Sequence, residues 1–498
     1  MIRCLWLKSR SISPSVRFSS SSENVGVNRI RNIGIVAHVD AGKTTVTEQL
    51  LYLTGTTKSV GEVDSGSTVT DFLDMERERG ITIQSAAVTF NWMQHRINLI
   101  DTPGHVDFTV EVERCLRVLD GIVTVLDGSA GVQAQTLTVW KQAQRFGLPA
   151  IFFVNKLDKK GADFKKTVDD VKQKLGVEAL CTVIPKADFS GIIDLISGSQ
   201  LSFNAGRNAE WQEIKEKTHD FDQLLAQRSD LCLEVAGQHE GFMEHFLEEC
   251  SGQVDRVDSS ALLRAIREVT LGGKAATVTC GSVLKSTSCA RPILDHVVNF
   301  LPAPNERSAQ LGHLFGDELA GFVFKVTHDK RRGHLCYVRV YNGTLKNNSS
   351  VFNSNQFRME GPLKVFVPYA DELRQAKEVG AGNIAVVAGL SHSVTGDSLL
   401  ANQAVATSVN EKLHTELKQS HEGPDNHRKS AHDVYPNDST GSSKNRSDSK
   451  KAAIGLQPRE DGEGKTVVFS GIEIPDSVYF CCVEPPSTKS LHEAKRYA

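Results

Sequence analysis

The turn Ala37-His38-Val39-Asp40-Ala41-Gly42-Lys43-Thr44 constrains this chain more than any other stretch, because it joins an apolar run to a helical pattern. Ile33 to Ala37 has the composition of a strand buried in a parallel sheet. From Thr45 onward, Val46, Leu50, Leu51 and Leu53 recur at roughly helical spacing until Gly55 stops the pattern. A strand, a tight turn and a helix N-terminus aim backbone N–H groups at one place, where a phosphate chain can sit. Gly42 permits close backbone approach, the Lys43 ammonium reaches terminal phosphates, and the Thr44 hydroxyl can ligate magnesium. The whole stretch from Ala37 to Thr45 is therefore expected to cradle phosphates. Its first position is Ala rather than Gly, which the loop accepts if the local φ stays negative.

Two later segments are suited to sense a terminal phosphate. Val88 to Trp92 and Arg96 to Ile100 read as strands, the second leading into Asp101-Thr102-Pro103-Gly104-His105. The Asp101 carboxylate at a strand tip can hold magnesium directly or through water, and the Gly104 N–H can meet a γ-phosphate oxygen. Thr82 lies in the charged stretch Arg77-Glu78-Arg79-Gly80-Ile81-Thr82-Ile83, which a bound triphosphate would order. Its hydroxyl is a second candidate protein ligand for magnesium beside Thr44. His105 directly follows the glycine, where an imidazole can orient an attacking water.

A fourth segment selects the base. Ala150 to Val154 is another buried-strand run, and Asn155-Lys156-Leu157-Asp158 follows its carboxyl end. Guanine presents two N–H donors on one edge, and the Asp158 carboxylate can accept both. Adenine lacks that pair and would leave a buried charge unpaired. Lys156 can lie over the base plane. The loop Cys280-Gly281-Ser282-Val283-Leu284-Lys285 is the best candidate for contact with the guanine oxygen, through Ser282 and Val283. In this order, each at the end of an apolar run, the segments imply a site for GTP or GDP, magnesium and an attacking water.

These motifs resemble those of the translational GTPases of the elongation factor G family. The residues that carry the likeness are 37–45, 76–87, 101–108 and 155–158, and it extends from about Arg29 to Leu400 with a further piece from about Gly471 to Ser490. Residues 61–72, 87–92 and 135–140 are more similar to the family's recycling branch, which works with ribosome recycling factor after termination. Val283 stands where the family usually has Ala. The resemblance implies a GTP-hydrolysing factor of the mitochondrial ribosome that contacts rRNA and stalk proteins and acts with mitochondrial ribosome recycling factor. It implies His105 as the catalytic group and Thr44, Thr82 and Asp101 on the metal. A short form that binds GTP without completing recycling, a translocation factor and a ribosome-independent GTPase switch are the alternatives.

Composition bounds the same picture. Charged residues make up 23% and hydrophobic ones 40% of 498 residues, which describes a globular chain with a sizeable core. No apolar run approaches the ~20 residues of a spanning helix. A net charge of −3 gives no whole-molecule attraction to RNA, so ribosome contact must come from local basic faces or shape. The ten cysteines lack metal-like spacing, the one close pair being Cys481-Cys482, so reduced structural thiols are expected. Before Glu23 there is no acidic residue, whereas Arg3, Lys8, Arg10 and Arg17 are basic and serines crowd the stretch. That is the profile of a mitochondrial presequence, which would direct the chain to the matrix, a cytoplasmic protein with a frayed basic tail being the alternative; a monomer is expected.

The expected architecture is α/β. A P-loop GTPase domain spans 29–305, after a presequence over 1–28, and carries an inserted subdomain at about 160–279. Phe164 to Leu175 and Ala261 to Val269 are its helical stretches; in the family it faces the stalk, although a solvated elaboration fits the sequence equally. A β-barrel follows over 306–404, with strands at 321–326, 336–341 and 384–388 and a turn at Asn342-Gly343. Arg331, Arg332 and His334 could be RNA contacts or a solvated basic turn. The stretch from His421 to Lys451 has no Ile, Leu, Phe, Trp or Met, and a disordered linker is expected over 405–465. Residues 466–498 match the opening of an α+β third domain that then breaks off, as in a truncated product.

Overall fold

A computed structural model of the chain describes residues 25–61, 68, 76, 82, 84–104, 108–203, 206, 209–369, 372–421, 456–461 and 464–469. The apolar runs of the first 300 residues become one seven-stranded sheet. Its strands are β1 (Ile30–Ala37), β2 (Ala86–Trp92), β3 (His95–Asp101), β4 (Gly121–Asp127), β5 (Ala150–Asn155), β6 (Glu178–Cys181) and β11 (Ala275–Cys280). Their spatial order is β2-β3-β1-β4-β5-β11-β6, parallel throughout except for the antiparallel edge strand β2. Every residue of β1, β4, β5 and β11 is buried, as strands covered on both faces require. Helices α1 (Lys43–Leu53), α2 (Thr109–Leu116), α3 (Ala134–Arg145) and α4 (Phe164–Leu175) follow strands of this sheet, and their apolar faces join its core.

The insertion is narrower than expected. A parallel strand needs a crossover, and α4, with Val168, Val171 and Leu175 buried, is the crossover from β5 to β6. β11 lies between those two strands, so α4, β6 and β11 belong to the central sheet. The subdomain proper is the segment between β6 and β11. It holds strands β7 (Val183–Pro185), β8 (Gly191–Asp194), β9 (Ser199–Ser202) and β10 (Gln212–Glu213), with helices α5 (His219–Ala236), α6 (Glu240–Glu244) and α7 (Ser259–Leu271). Leu231, Val235, Phe246, Leu262 and Ile266 form its separate core. Helix α8 (Arg291–Phe300) returns the chain to the main core through Ile293, Leu294 and Val297.

The second domain is an antiparallel sheet of eight strands built around β12 (Ala320–Asp329), β13 (Gly333–Asn342), β20 (Ile384–Ala388) and β21 (Ser398–Leu400), covering the three expected strand regions. Its interior is filled by Val323, Val338, Val340, Val365, Val387 and Leu399. Asn342-Gly343 is a corner rather than a hairpin, because Thr344–Lys346 pairs with Glu378–Gly380 and not with β13. Gly343 has φ +65°, and a Cβ there would lie 2.6 Å from the Glu318 backbone, so no other residue fits.

The expected linker of 405–465 is corrected at both ends. The last helix runs Gln403–His421, and Ala406 and Val409 are buried against the core. The apolar-poor stretch starts only at the end of that helix; residues 422–455 lie outside the described ones. Leu456–Asp461 and Gly464–Phe469 then pair as a hairpin. Ser354 Oγ donates to the Val467 carbonyl at 2.6 Å, and the Phe469 N–H donates to Ser398 Oγ at 2.9 Å. Residues 1–24 and 470–498, which hold most of the presequence and of the third-domain fragment, lie outside the described residues. Val27–Arg29 already forms a helical turn, so the folded body begins before residue 29.

Across the two domains runs a buried polar chain. Thr89 donates to Asn98 (2.9 Å), Asn98 to Asn32 (2.8 Å), and Asn32 to Asp120 (2.6 Å). Arg339 of β13 meets both Asp120 oxygens at 3.1 and 2.9 Å and also donates to the Gly382 carbonyl at 2.8 Å. Arg339 is 1% exposed and Asp120 4%. Removing one partner strands a charge in low dielectric, so Arg339→Met is expected to cost about 3–5 kcal/mol in urea unfolding. A loss below about 1 kcal/mol, the range of an exposed pair, would show that the pair does not hold the domains together.

Candidate functional site

The site forms where β1, β3, β5 and β11 release their chains at the same edge of the sheet. Helix α1 starts on Gly42, at φ +92°, with no side chain capping its first turn. Its first N–H groups are thus directed at an incoming anion rather than at a cap. Asp40 is also left-handed, at φ +61°, which bends the loop around that point. Lys43 is buried, and its Nζ donates to Asp101 Oδ1 at 2.7 Å and to Thr82 Oγ1 at 3.1 Å. The ammonium, the carboxylate and the hydroxyl assigned to phosphate and metal binding therefore meet at the head of α1. Thr44 stands beside them in the first turn of α1. Hard oxygen donors next to an anion cradle are the ligand set magnesium takes, so these residues fit that ion.

The loop after β3 is held against this cradle. Thr102 Oγ1 donates to the Ile35 carbonyl at 2.8 Å. A Cβ on Gly104 would lie 3.4 Å from the Ala37 carbonyl, which is how closely the two loops pass. Gln135, at the start of α3, was not a candidate from sequence. Its amide nitrogen donates to the Gly104 carbonyl, and its oxygen accepts from the Val39 N–H at 3.4 Å, so one side chain links the loop after β3 to the turn between β1 and α1. No local pattern marks Gln135; only the docking of α3 makes it a bridge. His105 lies outside the described residues.

On the base side, Asn155 is buried and ties three segments together. Its Nδ2 donates to the Ala41 carbonyl at 3.1 Å, and its Oδ1 accepts from the Val283 N–H at 3.4 Å. A Cβ on Gly42 would lie 2.6 Å from that Nδ2, so glycine is required here by packing as well as by φ. Asp158 is exposed, and Ser282 Oγ donates to its Oδ1 at 2.5 Å, fixing the carboxylate at the rim of an open site. Leu157 is buried beneath it, with its N–H on the Gly281 carbonyl at 3.3 Å. Lys156, at φ +60°, extends to the Asp40 carbonyl and lies 3.2 Å from Asp127 Oδ2. Asp127, at the tip of β4, is a further site residue that sequence reasoning missed, although a carboxylate closing an apolar strand was a usable signal. Burial alone would raise its pKa, but hydrogen bonds from Ser129 and the Lys156 ammonium outweigh that and hold it at about 2. His38 is drawn below its ordinary pKa by burial, which favours a neutral imidazole in the loop.

Both domains match those of known proteins. The elongation factor Tu GTP-binding domain matches residues 28–303, and domain 2 of elongation factor G matches residues 318–402. The chain belongs to the elongation factor G family of translational GTPases. Curated relatives called "Ribosome-releasing factor 2, mitochondrial" include one from Pongo abelii, 40% identical over 485 residues, covering 96% of this chain and 58% of that protein. One from Danio rerio is 40% identical over 498 residues, covering 97% and 60%. The chain thus spans a little under two thirds of the length of these relatives. A crystal structure of a Thermus thermophilus protein aligns with TM-score 0.65 at 28% identity, over 76% of this chain and 55% of that one.

The geometry of this GTPase family member yields a direct test of the base pocket. Asp158→Asn turns one acceptor oxygen into a donor, which opposes guanine and suits the edge of xanthine. GTP affinity is expected to fall by about 1–3 kcal/mol while xanthosine triphosphate gains. Titrating both nucleotides checks this, and unchanged GTP binding would remove Asp158 from the site.

Proposed function

We propose that this chain binds GTP with magnesium and hydrolyses it as a translation factor of the mitochondrial ribosome, acting with ribosome recycling factor to disassemble ribosomes after termination. The convergence of Lys43, Thr82 and Asp101 on the head of α1, where no side chain caps the helix, carries the nucleotide reading. The names of the relatives and the sequence likeness to the recycling branch support the setting, the mitochondrial matrix and the partners: rRNA, stalk proteins and the recycling factor.

Within that reading, the backbone N–H groups after Gly42 and the Lys43 ammonium bind the phosphates. Thr44, Thr82 and Asp101 would hold magnesium, which when bound neutralises charge on the phosphate oxygens. Asp158 and Ser282 select guanine, and Asn155 keeps the base loops at a fixed distance from the phosphate loop. Gly104 presents its N–H to the terminal phosphate, with Gln135 setting the orientation of the following peptide. His105, next along the chain, orients the attacking water and is the catalytic residue. Charge builds on the phosphate oxygens in the transition state, and Lys43 is placed to offset it.

Two substitutions separate binding from hydrolysis. Lys43→Ala is expected to abolish measurable GTP binding. His105→Ala should leave GTP affinity nearly unchanged and lower ribosome-stimulated turnover by about 10²–10⁴-fold, the usual contribution of a positioned proton-transfer group. Equal turnover in wild type and His105→Ala would remove the histidine from the mechanism. The setting is tested by adding recycling factor to post-termination mitochondrial ribosomes: it should raise GTP turnover by the chain, and indifference to the factor would exclude the recycling role.

A further inference from the structure

Strand β12 carries a bulge where it pairs with β13. Val323 lies opposite Val338 and Lys325 opposite Tyr337, leaving Phe324 unmatched between them. In a regular strand Val323 and Lys325 would share a face. Val323 does point into the second domain's core, but Phe324 packs in the main core and the Lys325 Nζ reaches the Ser85 carbonyl of the GTPase domain. The extra residue thus turns a lysine out of the barrel interior and across the domain boundary, a recognised use of a bulge.

The place it reaches is three residues after Thr82. Ser85 Oγ donates to Glu111 Oε1 at 2.7 Å, and Glu111 lies on α2, the helix that follows the Asp101–Gly104 loop. The Gln84 N–H donates to Glu76 Oε1 at 2.9 Å, with Glu76 fully buried. Both carboxylates lie within electrostatic reach of the Lys325 ammonium, and the Tyr337 ring centroid is 5.7 Å from it. Lys325 is 7% exposed, so water offers its ammonium little compensation. Burial pulls its pKa down, while Glu111, Cys115 and Glu76 oppose that shift.

Resting on the nucleotide reading above, we propose that Lys325 is a positioning residue through which the second domain fixes the segment bearing Thr82 and thereby favours the triphosphate over the diphosphate. The lysine touches no nucleotide. It anchors the strand that leads out of the Thr82 segment and, through Ser85 and Glu111, ties that strand to α2. A directional bond from a buried cation tolerates little displacement, so losing it frees Thr82 from its place near Asp101 and Lys43. Thr82 matters when a γ-phosphate and its metal are present, so GDP binding should be indifferent.

The test compares Lys325→Met, which keeps an aliphatic stem, with wild type by calorimetric titration. The probes are magnesium–GDP and a magnesium-bound β,γ-imido GTP analogue. The analogue is expected to lose about tenfold in affinity while GDP stays within about twofold, the size of an ordinary coupling between sites. The magnesium concentration that half-saturates analogue binding should rise with it. A general packing defect would weaken both nucleotides together, and that result, or no change in either, overturns the proposal. Glu111→Gln, which keeps shape but removes the carboxylate, gives an independent reading of the same ratio if Lys325→Met does not fold. A wild-type chain that binds neither probe refutes the nucleotide site itself, whereas wild-type binding with an unchanged ratio in the variants refutes only the role of Lys325.

Discussion

The buried pair between Asp120 and Arg339 sets the frame on which the rest of this structure depends. Both charges are almost fully withdrawn from water and are held by each other, by Asn32, by the Gly382 carbonyl and by the Tyr341 ring, 5.6 Å from the guanidinium. Ion pairs of this kind add little net stability over an apolar contact of the same shape. What they impose is register, because any shift of the second domain would separate two desolvated charges. Asn32 lies in β1, the strand that delivers the phosphate loop, and Arg339 lies in β13, which pairs with β12. The pair therefore fixes the position from which Lys325 extends.

Inside the nucleotide site the same electrostatic logic applies at shorter range. Asp101 is fully buried, and Lys43 lies 2.7 Å from it. That short ion pair ties the head of α1 to the end of β3. Thr82 shares the Lys43 ammonium, so any change in its partners is felt by the segment on the far side of the site. The base pocket is arranged differently. Asp158 is exposed, with its Oδ1 held by the Ser282 hydroxyl, and in the proposed function it is the group that meets the base.

The parts of this site that sequence made legible are those whose chemistry is local. A glycine at left-handed φ, a lysine at the head of a helix and a carboxylate at a strand tip each announce themselves in a few residues, and Lys43 heads α1, Asp101 ends β3 and Asp158 follows β5. The insertion boundary was misjudged because β6 and β11 are short apolar strands whose membership in the main sheet is decided by partners far along the chain. The linker was expected to begin too early because its span of 405–465 reached beyond the apolar-poor stretch His421–Lys451, over a helix whose Ala406 and Val409 pack in the main core. Gln135 and Lys325 were invisible for a third reason. Their roles depend on where a helix docks and on a single unmatched residue in a strand, neither of which leaves a periodic trace.

Beside the Asp120–Arg339 pair, two contacts between the second domain and the nucleotide-binding domain differ in kind, and their physics assigns them different work. Near the C-terminal end of α2, the Arg117 guanidinium lies 5.0 Å from the centre of the Phe322 ring, and Phe469 packs at 6.1 Å from Phe322 and 5.0 Å from Tyr341. Apolar and aromatic surfaces attract over a broad range of offsets, so this cluster holds the domains together without specifying small displacements. The contact of Lys325 with Ser85 is of the opposite kind: one buried donor, one carbonyl, and a steep loss with distance and angle. An interface that both coheres and responds needs each kind. The Arg117–Phe322 contact tolerates small offsets between the domains, whereas the hydrogen bond of Lys325 depends on the local position of the backbone that leads out of Thr82.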